Sequence, residues 1–190
     1  MINSFGINYH QFPDDKQLYT VIDPDSLHCL VSLTSYADAV IGWYIKNDLL
    51  LNPRKTEALV AGPRQQVAKL NTSNGVGVFG SILPFSSKQR VLGMTLDELL
   101  TFDDHISGIV RACNYHLRAL QHIRLLVAQD TANTIACSLV CARLDYCNAI
   151  LYRVTKQNIG RLQRVQNPLA GVVCLPPYRS TASRLRRRLH

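Results

Sequence analysis

Residues 9–19 read YHQFPDDKQLY. Residues of high strand propensity lie on both sides of Pro13-Asp14-Asp15, and across residues 5–22 this pattern predicts a hairpin: two short strands joined by a turn at the acidic pair. Proline presets φ for such a turn and aspartate bonds the neighbouring backbone, so the tripeptide is ordinary turn chemistry. It also has a second property. Two adjacent carboxylates on a tight turn repel each other, and a hard cation such as magnesium, which takes one or two carboxylates plus substrate phosphates, offsets that repulsion.

Working outward, Asp23-Pro24 has the chemistry of a helix start, with Asp23 as N-cap and Pro24 in the first turn. Leu27, Leu30, Val31, Ala37, Ile41, Tyr44 and Ile45 recur at helical spacing to about Asn47. Trp43 and Tyr44 read as packing at the end of that helix. Asn52-Pro53 breaks the pattern, residues 56–61 read as a strand, and residues 62–75 as polar loop. Strand-like runs come next at 76–79, 81–85 and 90–96. From Thr101 the chain turns helical. Thr101-Phe102-Asp103-Asp104 has capping-box spacing with Asp in place of Glu or Gln. Phe102, Ile106, Ile109, Cys113, Leu117, Leu120 and Ile123 share one face. A second helix is expected from Asp130 to about Ala142, and a short helical piece at 145–152. Thr155 caps a third helix with Ile159, Leu162, Val165, Leu169 and Val172 inward. Pro168 and Gly171 weaken its second half.

Charge divides at the same place as the pattern. Residues 1–100 carry 8 Lys+Arg against 9 Asp+Glu, a balance of −1. Residues 101–190 carry 13 against 4, or +9, which together make the net +8 of the whole chain. A basic C-terminal half fits either a polyanion partner or a solvated face. Arg111, Arg118, Arg124, Arg161 and Arg164 are the candidate nucleic-acid contacts, and His116 and His122 read as solvated or phosphate-facing. Hydrophobic residues make up 47% of the 190, enough to exclude disorder by composition. The six cysteines lack zinc spacing and read as buried reduced thiols. With no signal-peptide pattern and no apolar run near the ~18 residues of a membrane span, the chain reads as an intracellular, soluble protein of nucleus or cytoplasm. No GxSxG, Walker or HExxH pattern is present.

Four stretches taken in order resemble the reverse transcriptase of non-LTR retrotransposons (LINE elements of the jockey and CR1 type). YHQFPDDKQLY at 9–19 resembles its aromatic-Ala-Asp-Asp turn. IGWYIKNDLLLNPRKTEALVAG at 41–62 resembles the segment after the palm helix, and VLGMTLDELLTFDDHI at 91–106 resembles the primer-grip region. HLRALQHIRLL at 116–126, SLVCARLDYCNAILY at 138–152 and NIGRLQRVQNPLA at 158–170 resemble the helical thumb and the segment after it. The resemblance covers nearly the whole chain.

It implies an α+β chain. Residues 1–100 would be a partial polymerase palm of hairpin, helix and short strands, and 101–175 a helical thumb-like region. Residues 176–190 would be a basic, disordered tail. It implies that Asp14 and Asp15 are catalytic and bind Mg2+, that Lys55 assists the leaving pyrophosphate, and that Leu92 and Gly93 grip the primer end. The parent activity is RNA-directed DNA polymerase, a nucleotidyltransferase acting on an RNA template and a DNA primer. Pro13 stands where the family has alanine, and Lys16 comes after the pair where a small polar residue is common. The family's first palm aspartate and its fingers have no counterpart here. The expectation is therefore a reverse-transcriptase fragment inactive by itself. The alternatives are a non-catalytic basic module that binds nucleic acid non-specifically, without membrane, or a non-functional relic.

Overall fold

The computed structural model describes residues 7–12, 15–23, 28–70, 75–78, 80–146 and 148–174. Pro13, Asp14, Leu27, Cys147 and the 176–190 tail lie outside the described residues, so the expectations for them have no structural counterpart. The rest is mixed: helices and short antiparallel strand pairs, the α+β class expected of the sequence. The chain forms two units, 1–89 with 97–100, and 90–96 with 101–190.

In the first unit, strands β1 (Asn8–Gln11) and β2 (Lys16–Tyr19) pair antiparallel, Asn8 opposite Tyr19 and Gln11 opposite Lys16. The Phe12 amide donates to the Asp15 carbonyl at 2.8 Å and closes the connection. The expected hairpin is therefore present, its strands on either side of residues 13–15. Helix α1 (His28–Lys46) comes next, but its apolar residues do not form a buried stripe. Tyr36 and Ala37 are buried, whereas Val31, Trp43 and Ile45 are exposed. Trp43 is 51% exposed and meets Tyr44 edge to face, so it is not the packed residue that the sequence predicts.

A 3-10 turn spans Pro53–Lys55. The strand expected at 56–61 is reduced to one bridge between Ala58 and Phe85, with the Ser86 amide donating to the Ala58 carbonyl at 2.7 Å. The loop expected at 62–75 contains helix α2 (Arg64–Leu70). Val67 and Leu70, three apart, are its buried residues, and with Val60 they make a small core against Ile22 and Phe85. Two apolar residues among polar ones were too weak a periodic signal to register as a helix. Strands β3 (Val76–Val78) and β4 (Ser81–Leu83) pair antiparallel, and α1 packs on β3. Gly77 permits that approach: a Cβ there would lie 3.3 Å from the Thr34 methyl. Gly75, at φ 131°, has no room at all, since a Cβ would overlap the Leu83 carbonyl.

Residues 90–96, expected as one strand, belong to a hairpin of β5 (Lys88–Val91) and β6 (Met94–Asp97). Leu92 at φ 47° and Gly93 at φ 81° form its turn. Two successive positive φ values match the twist of adjacent strands. The hairpin tip, 90–96, belongs to the second unit.

That unit holds the larger core. It comprises α3 (Asp103–Ile123), α4 (Gln129–Ala136), a π-helical turn at Cys137–Cys141, α5 (Ala142–Asp145), a 3-10 segment at Asn148–Arg153, and α6 (Lys156–Cys174). Ile106, Cys113, Leu117 and Leu120 of α3 interlock with Ala132, Ala136, Val140, Leu144, Leu162, Val165, Leu169 and Val173. Most of the α3 face read from the sequence is thus inward, and Ile123 is exposed at its end. On α6, Ile159 is exposed and Asn158 takes the inward place. The helix runs through Pro168 unbroken, because Leu169, Ala170 and Val173 anchor the turn beyond it.

Polar groups fix both ends of this bundle. Thr155 caps α6 as expected, its hydroxyl accepting from the Asn158 amide. At the start of α3, Phe102 stands at φ 60° as the N-cap residue, and the Thr101 hydroxyl accepts from the Asp103 amide at 3.3 Å. Asn158, 1% exposed, donates to the Asp103 carboxylate and accepts from Arg161 at 3.0 Å. At the other end Arg124 bonds the last carbonyls of α6. α3 and α6 therefore run side by side in the same direction. An aspartate sits where both helix dipoles are positive and an arginine where they are negative, the favourable sense at each end.

Candidate functional site

The candidate residues divide between the two units. Asp15 and Lys55 belong to the first. Asp15 is exposed at the base of the β1–β2 turn, and Lys55 is exposed at the end of the 3-10 turn, its amide bonded to the Asn52 carbonyl at 3.1 Å. Asp14 lies outside the described residues. Lys16, next after the pair, turns its ammonium over the Tyr44 ring at 5.9 Å, a cation–π contact. Among the described residues no three His, Cys, Asp or Glu side chains gather as a metal site. Two-metal phosphoryl transfer needs carboxylates that hold cations ~3.5–4 Å apart. The described residues therefore do not by themselves make up such a two-metal donor set.

The second unit carries the remaining candidates. Leu92 and Gly93 form the turn of the β5–β6 hairpin. The Tyr146 hydroxyl donates to the Leu92 carbonyl, and a Cβ on Gly93 would meet the Tyr146 ring at 3.4 Å. The tip is held a second time by the Thr95 amide, which donates to Nδ1 of His105 at 3.4 Å. Because Nδ1 accepts, the neutral ring carries its proton on Nε2, and that nitrogen is buried without a partner. Burial lowers the pKa of His105 and keeps the ring neutral. An unsatisfied buried donor of this kind costs ~1–3 kcal/mol. Sequence reading had no signal for it, since His105 was only one of six histidines without metal spacing.

The five arginines separate by environment. Arg111 and Arg118 are exposed on α3, seven residues apart and so on one face. Tyr115, 70% exposed, lies between them, and His122 continues the line by one turn. The result is a solvent-facing stripe of cation, aromatic, cation and imidazole. Arg164 is exposed on α6. Arg161 is half-buried and donates to Asn158 Oδ1 and to the Ser107 hydroxyl at 2.7 Å, so it braces α6 against α3. Arg124 is 5% exposed. Its guanidinium bonds the carbonyls of Val127, Val172 and Val173 and the Gln129 side chain, so it does not face solvent as a phosphate contact would. Its role could not be read from the sequence, because a helix-end arginine is usually solvated. The aromatic in the stripe has no sequence signal of its own, because an isolated tyrosine on a helix is as often packed as exposed, and only the fold shows Tyr115 outward.

The described cysteines are free, as expected, but only Cys113 is buried: Cys137 is exposed and Cys29, Cys141 and Cys174 are half-buried. Cys113 is buried, and burial raises its thiol pKa. The Cys141 thiol is pushed up to about 11, chiefly by burial and then by neighbouring Cys137 and Asp145. These are core groups rather than nucleophiles.

No protein-family model matches the chain, and no solved structure matches it. Over 169 residues, 83% of this chain, it is 26% identical to the probable RNA-directed DNA polymerase from transposon BS of Drosophila melanogaster. It spans 17% of that protein's length. This distant similarity supports a relation to reverse transcriptases. No helix among the described residues is long and apolar enough to cross a membrane.

Proposed function

We propose that the chain is a palm and thumb fragment of a non-LTR retrotransposon reverse transcriptase, which contacts nucleic acid through α3 and does not add nucleotides by itself. The observation that carries the reading is the similarity to a transposon RNA-directed DNA polymerase across 83% of the chain. The hairpin that brackets the acidic pair is consistent with it. So is the tight turn at Leu92-Gly93, where the resemblance expects a primer grip.

Inactivity is expected from the donor set. Asp14 and Asp15 supply at most one turn's carboxylates, and a two-metal site needs a further acid close by. The test is primer extension by the purified chain with Mg2+, an RNA template and a DNA primer. No incorporation is expected. Robust incorporation abolished by Asp15→Asn would overturn the claim of inactivity and leave the family reading in place.

The stripe on α3 favours the binding component. Arg111 and Arg118 are placed to neutralise phosphates, and the exposed Tyr115 ring offers a face on which a base stacks. Such binding is tolerant of sequence and falls steeply as salt rises. An affinity for labelled oligonucleotide that did not change between low and moderate salt would remove it.

A further inference from the structure

A cleft of about 630 Å³ opens within the second unit, between the β5–β6 hairpin tip, α3, and the π-helical turn leading into α5. Its volume is within the range of small-molecule sites, ~300–1,000 Å³. Arg90, Asp104, His105, Leu139, Arg143 and Tyr146 are among the residues that line it. None of these was needed to explain the α3 stripe.

Three independent features converge here. The first is chemical: two guanidinium groups against one carboxylate give the lining a net positive balance, and guanidinium geometry matches the paired oxygens of a phosphate. The second is the His105 ring, 5% exposed and lining the cleft, with Nε2 buried and unpartnered. A buried polar atom without a partner calls for an explanation, and a ligand oxygen supplies one. The third is backbone form. Cys137–Cys141 adopts a π turn, which places Leu139 on the cleft wall, and such turns occur often at functional sites. Gly93 and Thr95 of the hairpin also line the cleft.

We propose that this cleft binds a phosphate monoester carrying a planar group, of the nucleoside monophosphate class. Arg143 and Arg90 take the phosphate, a small shift of His105 brings Nε2–H to a ligand oxygen, and the ring of Tyr146 with Leu139 covers the planar part. Asp104 limits the charge the site accepts and so disfavours a bare polyphosphate. The phosphate can belong to a free nucleotide or to the 5′ end of a strand. The site is separate from the α3 stripe and does not depend on it.

Calorimetry on the full chain tests this with AMP, adenosine, and dT oligonucleotides bearing a 5′-phosphate or a 5′-hydroxyl. AMP is expected to bind at least ~10-fold more tightly than adenosine. Arg143→Gln, an exposed substitution, removes that preference while leaving the thermal melt in place. In parallel, AMP shifts the side-chain 15N resonance of His105 Nε2. Preference for the 5′-phosphorylated strand that depends on Arg143 assigns the phosphate to a strand end, and AMP binding alone assigns it to a free nucleotide. Equal affinity for AMP and adenosine, no binding of either AMP or the phosphorylated strand, or an unchanged Arg143→Gln variant overturns the proposal. Arg111→Gln/Arg118→Gln separates it from the stripe: loss of binding to the 5′-hydroxyl oligonucleotide with AMP binding intact is expected. Loss of both together would refute the separateness of the two sites.

Discussion

Arg124 donates from Nη2 to the Val173 carbonyl at 2.8 Å, tying the end of α3 to the last turn of α6 forty-nine residues later. Nε of the same side chain reaches both Val172 and Val173 at 3.1 Å. The last carbonyls of a helix have no intrahelical partner, and here a buried cation supplies one.

Arg124→Ala is expected to destabilise the helical unit by about 3 kcal/mol, because it strips charge-assisted bonds from buried carbonyls. Arg124→Lys should recover only part, since one ammonium cannot reproduce the planar fork. Urea denaturation monitored by circular dichroism gives both values. A loss under ~0.5 kcal/mol for the alanine variant, the range of ordinary surface changes, would show the arginine to be dispensable.

The turn at Leu92-Gly93 gives two substitutions of opposite sign. Gly93→Ala forces a side chain to φ 81° with its Cβ 3.4 Å from the Tyr146 ring, and should cost about 1–2 kcal/mol. Leu92→Asn makes the preferred Asn-Gly pair for two successive positive φ values and should gain up to ~1 kcal/mol. Thermal melts that moved both variants in the same direction would contradict the turn geometry.

His105 makes the helical unit sensitive to acid. Burial lowers its pKa in the folded state, so on acidification the unfolded chain takes up the proton first. The stability it contributes is full above the unfolded value of ~6.5 and declines as pH falls from there towards the folded pKa, by at most ~1.4 kcal/mol per pH unit. Arg90, Asp104 and Arg143 are the charged residues that line the same cleft. Melting temperatures from pH 7.5 to 5 should fall more steeply in the native chain than in His105→Asn. Parallel profiles would show that His105 does not couple to folding.

For the α3 stripe, Arg111→Gln and Arg118→Gln should each weaken oligonucleotide binding and reduce the salt slope by about 1. Tyr115→Ala should weaken single-strand binding with the slope unchanged, the loss being about 1–3 kcal/mol for one stacked base. Fluorescence anisotropy at several salt concentrations distinguishes the two effects. A stripe mutant with wild-type affinity and slope would locate the contact elsewhere.

Much of the scaffold was legible because it rests on local rules. The hairpin about residues 13–15 comes from turn chemistry between strand formers, and the α3 face from a 3.6-residue repeat sustained along the whole helix. Short elements were less so. Helix α2 carries only Val67 and Leu70 as buried residues, and the β5–β6 hairpin turns on Leu92, a residue that rarely adopts positive φ.

The sequence by itself determined the mixed class, the divide near residue 100 in charge and pattern, the hairpin, and which α3 residues are apolar and which basic, because spacing and composition are properties of the chain alone. The tertiary structure decided what each polar group does. It set Arg124 on the carbonyls of α6 while Arg118, six residues earlier, faces water, and it buried His105 beside an open cleft. A side chain's partners come from segments tens of residues away, and no local pattern records which of them packing will bring near.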